Sequence, residues 1–174
     1  MYNKTARIGL LLLLSVLLSA CGYGFAGSGD FPDGVDYIFI EVFENRTSTT
    51  GVERTVTNQL IFEFSRQRES SLVNDMAKAD AVLKGTITSI RTQTISRVDT
   101  EVANEREVVM SVDLRLIKKD GGTVLWAARG ISDREAFDVD SVNKIETDRN
   151  EELAIGRLSE RISERIFNRL TDDF

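Results

Sequence analysis

Apolar and polar residues follow two different periods along this chain, and the switches between them mark its elements. Residues 36–45, DYIFIEVFEN, are dense in β-branched and aromatic side chains and predict a strand. Ile38, Ile40 and Val42 have one parity and Tyr37, Phe39 and Phe43 the other, so a strand covered on both faces is expected. From residue 50 the period lengthens. Val52, Val56, Leu60 and Phe64 recur every four residues, one stripe of a helix predicted over 50–68. Thr50 and Glu53 have the spacing of a capping box at its start.

A connection follows at 70–80, with a short strand expected at Leu72-Val73. Three β segments come next. In 79–98, Ala81, Leu83, Gly85 and Ile87 share a face, and Ile90 breaks the parity, which predicts a bulge near Ser89. In 106–119, Val108, Met110, Val112, Leu114 and Leu116 alternate with Ser111, Asp113 and Arg115. Asp120-Gly121-Gly122 predicts a tight hairpin turn, because glycine tolerates positive φ. The return strand, 123–132, points Val124, Trp126 and Ala128 at the core. A closing helix, 150–174, carries Ile155, Leu158, Ile162, Ile166 and Leu170 on one face, with Glu151 and Glu152 in its first turn. The order β-α-β-β-β-α predicts an α+β two-layer sandwich, with two helices on one face of a four-stranded sheet.

The first twenty residues read differently. Lys4 and Arg7 precede an apolar run, Ile8 to Leu18, about 16 Å long as a helix and about half a bilayer core. With small Ser19 and Ala20 after it, the segment predicts a cleaved export signal. The chain's one cysteine, Cys21, stands directly behind it. Leu-Ser-Ala-Cys resembles the bacterial lipobox, which implies an N-acyl diacylglycerol (palmitate-type) anchor on Cys21. Each buried lipid methylene contributes about 0.8 kcal/mol, so three acyl chains hold a protein firmly on a membrane. Gly22, rather than Asp, after the cysteine resembles an outer-membrane sorting signal. Residues 21–35 hold several glycines and the one proline, Pro32, and are expected to tether the lipid to a single domain over 36–174. Tyr23 and Phe25 are too apolar for a pure linker, so part of that tether is expected to lie on the domain.

Composition narrows the function classes. Loss of Lys4 and Arg7 takes the net charge from −6 to −8, a poor basis for binding nucleic acid. Histidine is absent, which removes the commonest general base and metal ligand. With the cysteine acylated, Ser-His, Cys-His and Cys/His-zinc chemistry are all excluded, and no enzyme, metal or other cofactor is expected. A hydrolase built on paired carboxylates such as Asp133 and Asp138 has no cleft to recommend it.

Three blocks carry a family resemblance. CGYGFAG (21–27) resembles a Cys-Gly-Tyr-x-Phe start. FPDGVDYIFIEVFENRTSTTGVERTVTNQLIFEF (31–64) resembles a Leu-Pro opening, an alternating strand with Phe-x-Asn-x-Thr, and a first helix. ADAVLKGTI (79–87) resembles an Ala-Asp-Ala-x-Leu-x-Gly strand entry. Together they resemble the LPS-assembly lipoproteins, the LptE family. Phe31 stands where Leu is usual, and Gly24 where His or a larger residue is frequent.

The resemblance implies a Gram-negative outer-membrane lipoprotein on the periplasmic side of that membrane. It would sit in the lumen of the LptD β-barrel as a plug and assembly factor, and help deliver lipopolysaccharide to the outer leaflet. Residues 91–107, mostly Thr, Arg and acids, read either as a solvated hairpin tip or as a projection touching the barrel. Arg91, Arg97, Arg106, Lys118 and Lys119 are the candidate contacts for lipid A phosphates. Phe43-Glu44-Asn45-Arg46-Thr47 also resembles outer-membrane lipoproteins that activate peptidoglycan synthases or form secretion pores. The start after Cys21 and the ADAVLKG entry favour the LPS-assembly reading over that one.

Overall fold

Three long antiparallel strands, β3 (Ala81–Arg97), β4 (Ala103–Lys118) and β5 (Val124–Asp138), make the centre of the sheet. The computed structural model describes residues 31, 34–97 and 103–172. Two short strands, β1 (Ile38–Ile40) and β2 (Glu44–Asn45), pair parallel to β3 along its free side, giving the order β1-β3-β4-β5. Helices α1 (Val52–Arg68) and α2 (Lys144–Asp172) cover one face. The α+β sandwich is therefore as expected, with five strands rather than four, because the first strand is split.

The split has a local cause. Phe43 N–H donates to Thr57 Oγ1 of α1 at 3.0 Å instead of continuing the ladder with β3. The chain rotates there, so Phe43 joins Ile38 and Ile40 inside, while Val42 turns to solvent at 60% exposure. Tyr37 is also exposed, and the strand is covered on one face only, contrary to expectation. Phe43 lies on Gly85, where a Cβ would stand 2.4 Å from its ring.

All four stripe residues of α1 are buried, each contributing about 1.5–3 kcal/mol relative to exposure. Its cap is not the predicted box. Gly51, at φ 89°, is the N-cap, and Glu53 Oε2 accepts from Gly51 N–H (3.1 Å) and Asn45 Nδ2 (2.9 Å). On α2, Leu158, Ile162, Ile166 and Leu170 are buried and Ile155 is half-buried. The two helices meet through Phe64 and Phe167, edge to face at 4.9 Å, and through Ser163 Oγ, which donates to Val56 C=O. Phe31 stacks on Phe64 and, with Val35, is buried in the same core.

The ladder breaks register between Ile87 and Ser89, at the predicted bulge. The turn at 120–122 has Gly121 and Gly122 at φ 87° and 67°, and Lys118 N–H donates to Thr123 C=O (2.8 Å). Leu72 makes a single bridge to Ile38 rather than a strand. Trp126 and Ala128 are buried, but Val124 is half-exposed beside the turn.

Two elements run longer than predicted. Beside Gly130 (φ 64°), whose N–H donates to Asp113 Oδ1 (2.8 Å), a second bulge shifts the parity of β5. Beyond it Ile131, Asp133, Glu135 and Phe137 share the helix side, and the two carboxylates interrupt the apolar alternation that marks a strand. Helix α2 starts six residues before the predicted point. Asn143 Oδ1 accepts from Ile145 N–H (3.1 Å) and Glu146 N–H (3.3 Å), which caps a first turn without apolar periodicity. The first-turn acid is accordingly Glu146, not Glu151 or Glu152. Residues 91–97 and 103–107 are paired strand, so most of the predicted projection is an extension of the sheet; its tip, 98–102, lies outside the described residues.

Candidate functional site: the open face of the sheet

Because β4 keeps strict alternation, its register sorts every neighbour onto a face. Even-numbered residues from Val108 to Leu116 meet the helices. Odd-numbered ones from Glu107 to Ile117 face away, together with their partners on β3 and β5. This open face has three zones along the strands.

Near the turn it is apolar, with Phe39, Val82, Ile117 and Val124 in one cross-strand row. In the middle, Arg46, Lys84, Arg115 and Arg129 surround a depression of about 260 Å³ with Asp113 inside it. Glu44 grips Arg46 at 3.0 Å and Glu41 grips Lys84 at 2.9 Å. The hydrogen bond from Arg46 holds the Glu44 carboxyl below its ordinary range despite some desolvation, and Glu44 raises Arg46 in return. Among the described residues no ion pair holds Arg115 or Arg129.

Towards the tip, a groove of about 600 Å³ is lined by Arg91, Arg134 and Arg165, with Glu107 and Asp133. Arg91, Val109 and Arg134 are direct partners in one row, so the two guanidinium stems start roughly 10 Å apart. Gln93 Nε2 donates to the buried Glu107 at 2.5 Å, and Arg165 is spent on Ser132 and Asp133. Cations fixed by neighbours, with a few left over, suit a polyanionic ligand or a polar protein wall.

The five cations singled out by sequence do not converge. Arg91 is on the open face, and Arg106 pairs with Thr94 and Phe137 on the helix side. Lys118 and Lys119 stand at the opposite end, about 30 Å from Arg91 along the ladder. Lys119 Nζ donates to Ala77 C=O. Of Arg97 only the backbone pairing is described, and Cys21 lies outside the described residues. Sequence reading missed Arg134, which lies past the predicted strand end, and Arg129, beside the unforeseen bulge.

Asp133 and Asp138 do not form a carboxylate pair. They sit five residues apart on one strand, on opposite faces, and Asp133 is held by Arg161 and Arg165. A surface cavity of about 1090 Å³ lies between the N-terminal halves of the helices among threonines and acids such as Thr55, Glu152 and Glu160. No cluster of three or more metal-ligating side chains occurs among the described residues, and none of their helices is long and apolar enough to cross a membrane.

No functionally curated protein matches the chain. Solved structures share its fold: a lipoprotein from Caulobacter crescentus (18% identity, TM-score 0.53, 75% of this chain and 88% of that one); lipoprotein B from Nitrosomonas europaea (14%, 0.53, 81% and 84%); and rare lipoprotein B from Shewanella oneidensis (18%, 0.52, 75% and 94%). The profile of the lipopolysaccharide-assembly family LptE matches residues 35–170, from the buried Val35 to the last turn of α2. The chain belongs to the LptE family of lipopolysaccharide-assembly lipoproteins.

Proposed function

We propose that this chain is anchored to the outer membrane through acylated Cys21, occupies the lumen of the LptD β-barrel, and helps it assemble and pass lipopolysaccharide to the outer leaflet. The observation that carries the reading is the family match over residues 35–170. The polar open face supports it. A barrel lumen presents polar side chains inward, and a plug must offer charges of both signs to them, as the middle and tip of this face do. Glu44, Arg46, Lys84, Asp113, Arg115 and Arg129 make such a surface. Arg91, together with Arg134, is the phosphate contact we favour. Arg97, Arg106, Lys118 and Lys119 would act apart from that pair, since the register brings none of them into the row of Arg91 and Arg134.

The test is purification of the tagged full chain from detergent-solubilised outer membranes, with a photo-crosslinking residue at Val109 or Arg129. Crosslinking to a large β-barrel is expected. Recovery of a peptidoglycan synthase with no barrel would overturn the reading. Cys21→Ser should move the chain out of the membrane fraction.

A further inference from the structure

β5 is a free edge of the sheet, and over its distal half four outward backbone groups are already occupied. In an antiparallel ladder, alternate residues turn N–H and C=O away from the neighbouring strand. Between 132 and 138 these are the even-numbered residues. Ser132 C=O accepts from Arg165 Nη1 at 2.9 Å, Arg134 C=O from Arg161 Nη2 at 2.5 Å, and Asp138 C=O from Asn150 Nδ2 at 3.1 Å. Arg134 N–H donates to Asp133 Oδ1 at 2.8 Å. Asp133 Oδ2 also holds Arg165 (3.1 Å) and Arg161 (3.4 Å).

Ion pairing alone does not require this arrangement. Arg157 satisfies Glu135 without touching the strand backbone. Arg161 divides its guanidinium among Asp133, Glu135 and the Arg134 carbonyl, and Arg165 divides its own between Asp133 and the Ser132 carbonyl. The other side of the sheet is covered only as far as Ile87, where β1 and β2, three and two residues long, pair with β3 and Val73 N–H donates to Ile38 C=O; beyond it, β3 pairs with β4 alone. A long edge with free N–H and C=O groups is a template for a further strand. Edge pairing is read by backbone, and two copies of one edge are self-complementary about a two-fold axis.

We propose that Arg161, Arg165 and Asn150 of α2 form a lock over the β5 edge that prevents it from pairing with the same edge of a second copy of this chain. The lock is independent of what the open face binds.

The experiment measures self-association of the full chain in detergent by sedimentation velocity over a concentration series. R161M/R165M removes the donors and keeps unbranched stems on the helix; R157M is the control that loses an ion pair only. Native chain and R157M are expected to stay monomeric. R161M/R165M is expected to associate at least about tenfold more tightly, with slowed amide exchange at 132–138 in the associated form. Adding A136P should abolish that association, because the Ala136 N–H points outward and its loss costs β4 no bond. A folded R161M/R165M chain that stays monomeric, or association that survives A136P, overturns the lock. If circular dichroism shows the double variant unfolded, R165M alone is read by the same two measurements and decides.

Discussion

Gly85 is the position where a single atom matters most. Its hydrogen side is filled by the Phe43 ring, itself almost wholly buried, so neither can retreat. Gly85→Ala should destabilise the fold by about 1–3 kcal/mol through overpacking. Urea denaturation checks it, and adding Phe43→Leu should recover part of the loss; no recovery would mean the ring is not the obstacle. Glu135 is the residue whose charge has most to lose. Burial pushes its carboxyl up, but hydrogen bonds from Arg157 and Arg161 outweigh that, and it titrates below its ordinary value. The folded state therefore binds fewer protons there than the unfolded chain. This stabilisation is complete above the ordinary value of 4.5 and is lost as pH falls through the lower folded value. Glu135→Gln should cost about 1–2 kcal/mol at neutral pH. The gap to the native chain should narrow by pH 3. Equal gaps at both values in denaturant titrations would refute the pairing.

Among the elements, α2 depends most on a feature without periodicity. Its first two turns carry charges and Ile145, which is 80% exposed, so packing does little to start it. Asn143 satisfies two N–H groups there, and Asp140 Oδ1 accepts from Val142 and Asn143 N–H, ordering the approach. Asn143→Ala should cost about 1 kcal/mol. It should also raise amide exchange over 144–150 while leaving 158–170 protected, since Leu158, Ile162 and Ile166 are fully buried. Uniform loss of protection along the helix would show that the cap governs more than its own turns. β5 has the opposite character. Its two carboxylates on the helix side are tolerated only because Arg157, Arg161 and Arg165 reach them from α2.

For the whole molecule, the two faces of the sheet have separate duties: one is sealed by helices, the other presents charge. Arg115→Glu/Arg129→Glu reverses two exposed open-face charges, so stability should change by about 0.5 kcal/mol or less. If the proposed barrel contact is made through this face, recovery of a barrel from solubilised membranes should nevertheless fall. Full recovery by the folded variant would remove the open face from the proposed contact. The family places the chain among lipopolysaccharide-assembly lipoproteins, and an assembly protein of this type needs shape and surface rather than a reactive centre.

How much was legible follows the reach of each signal. The stripe Val52-Val56-Leu60-Phe64, the alternation from Val108 to Leu116, the Gly121-Gly122 turn and the bulge at Ser89 all arise from burial or φ restrictions acting on neighbours in sequence, and the residues alone determined them. So did the family resemblance, which rests on local blocks kept in order. The rest needed partners far along the chain. Phe43 turns inward because Thr57, fourteen residues away, takes its N–H. Asp133 and Glu135 count as strand because arginines 22 to 32 residues later neutralise them. Arg91 and Arg134 become neighbours, and Arg91 and Arg106 opposites, only once register is set. Register is a property of paired strands, and no single strand contains it.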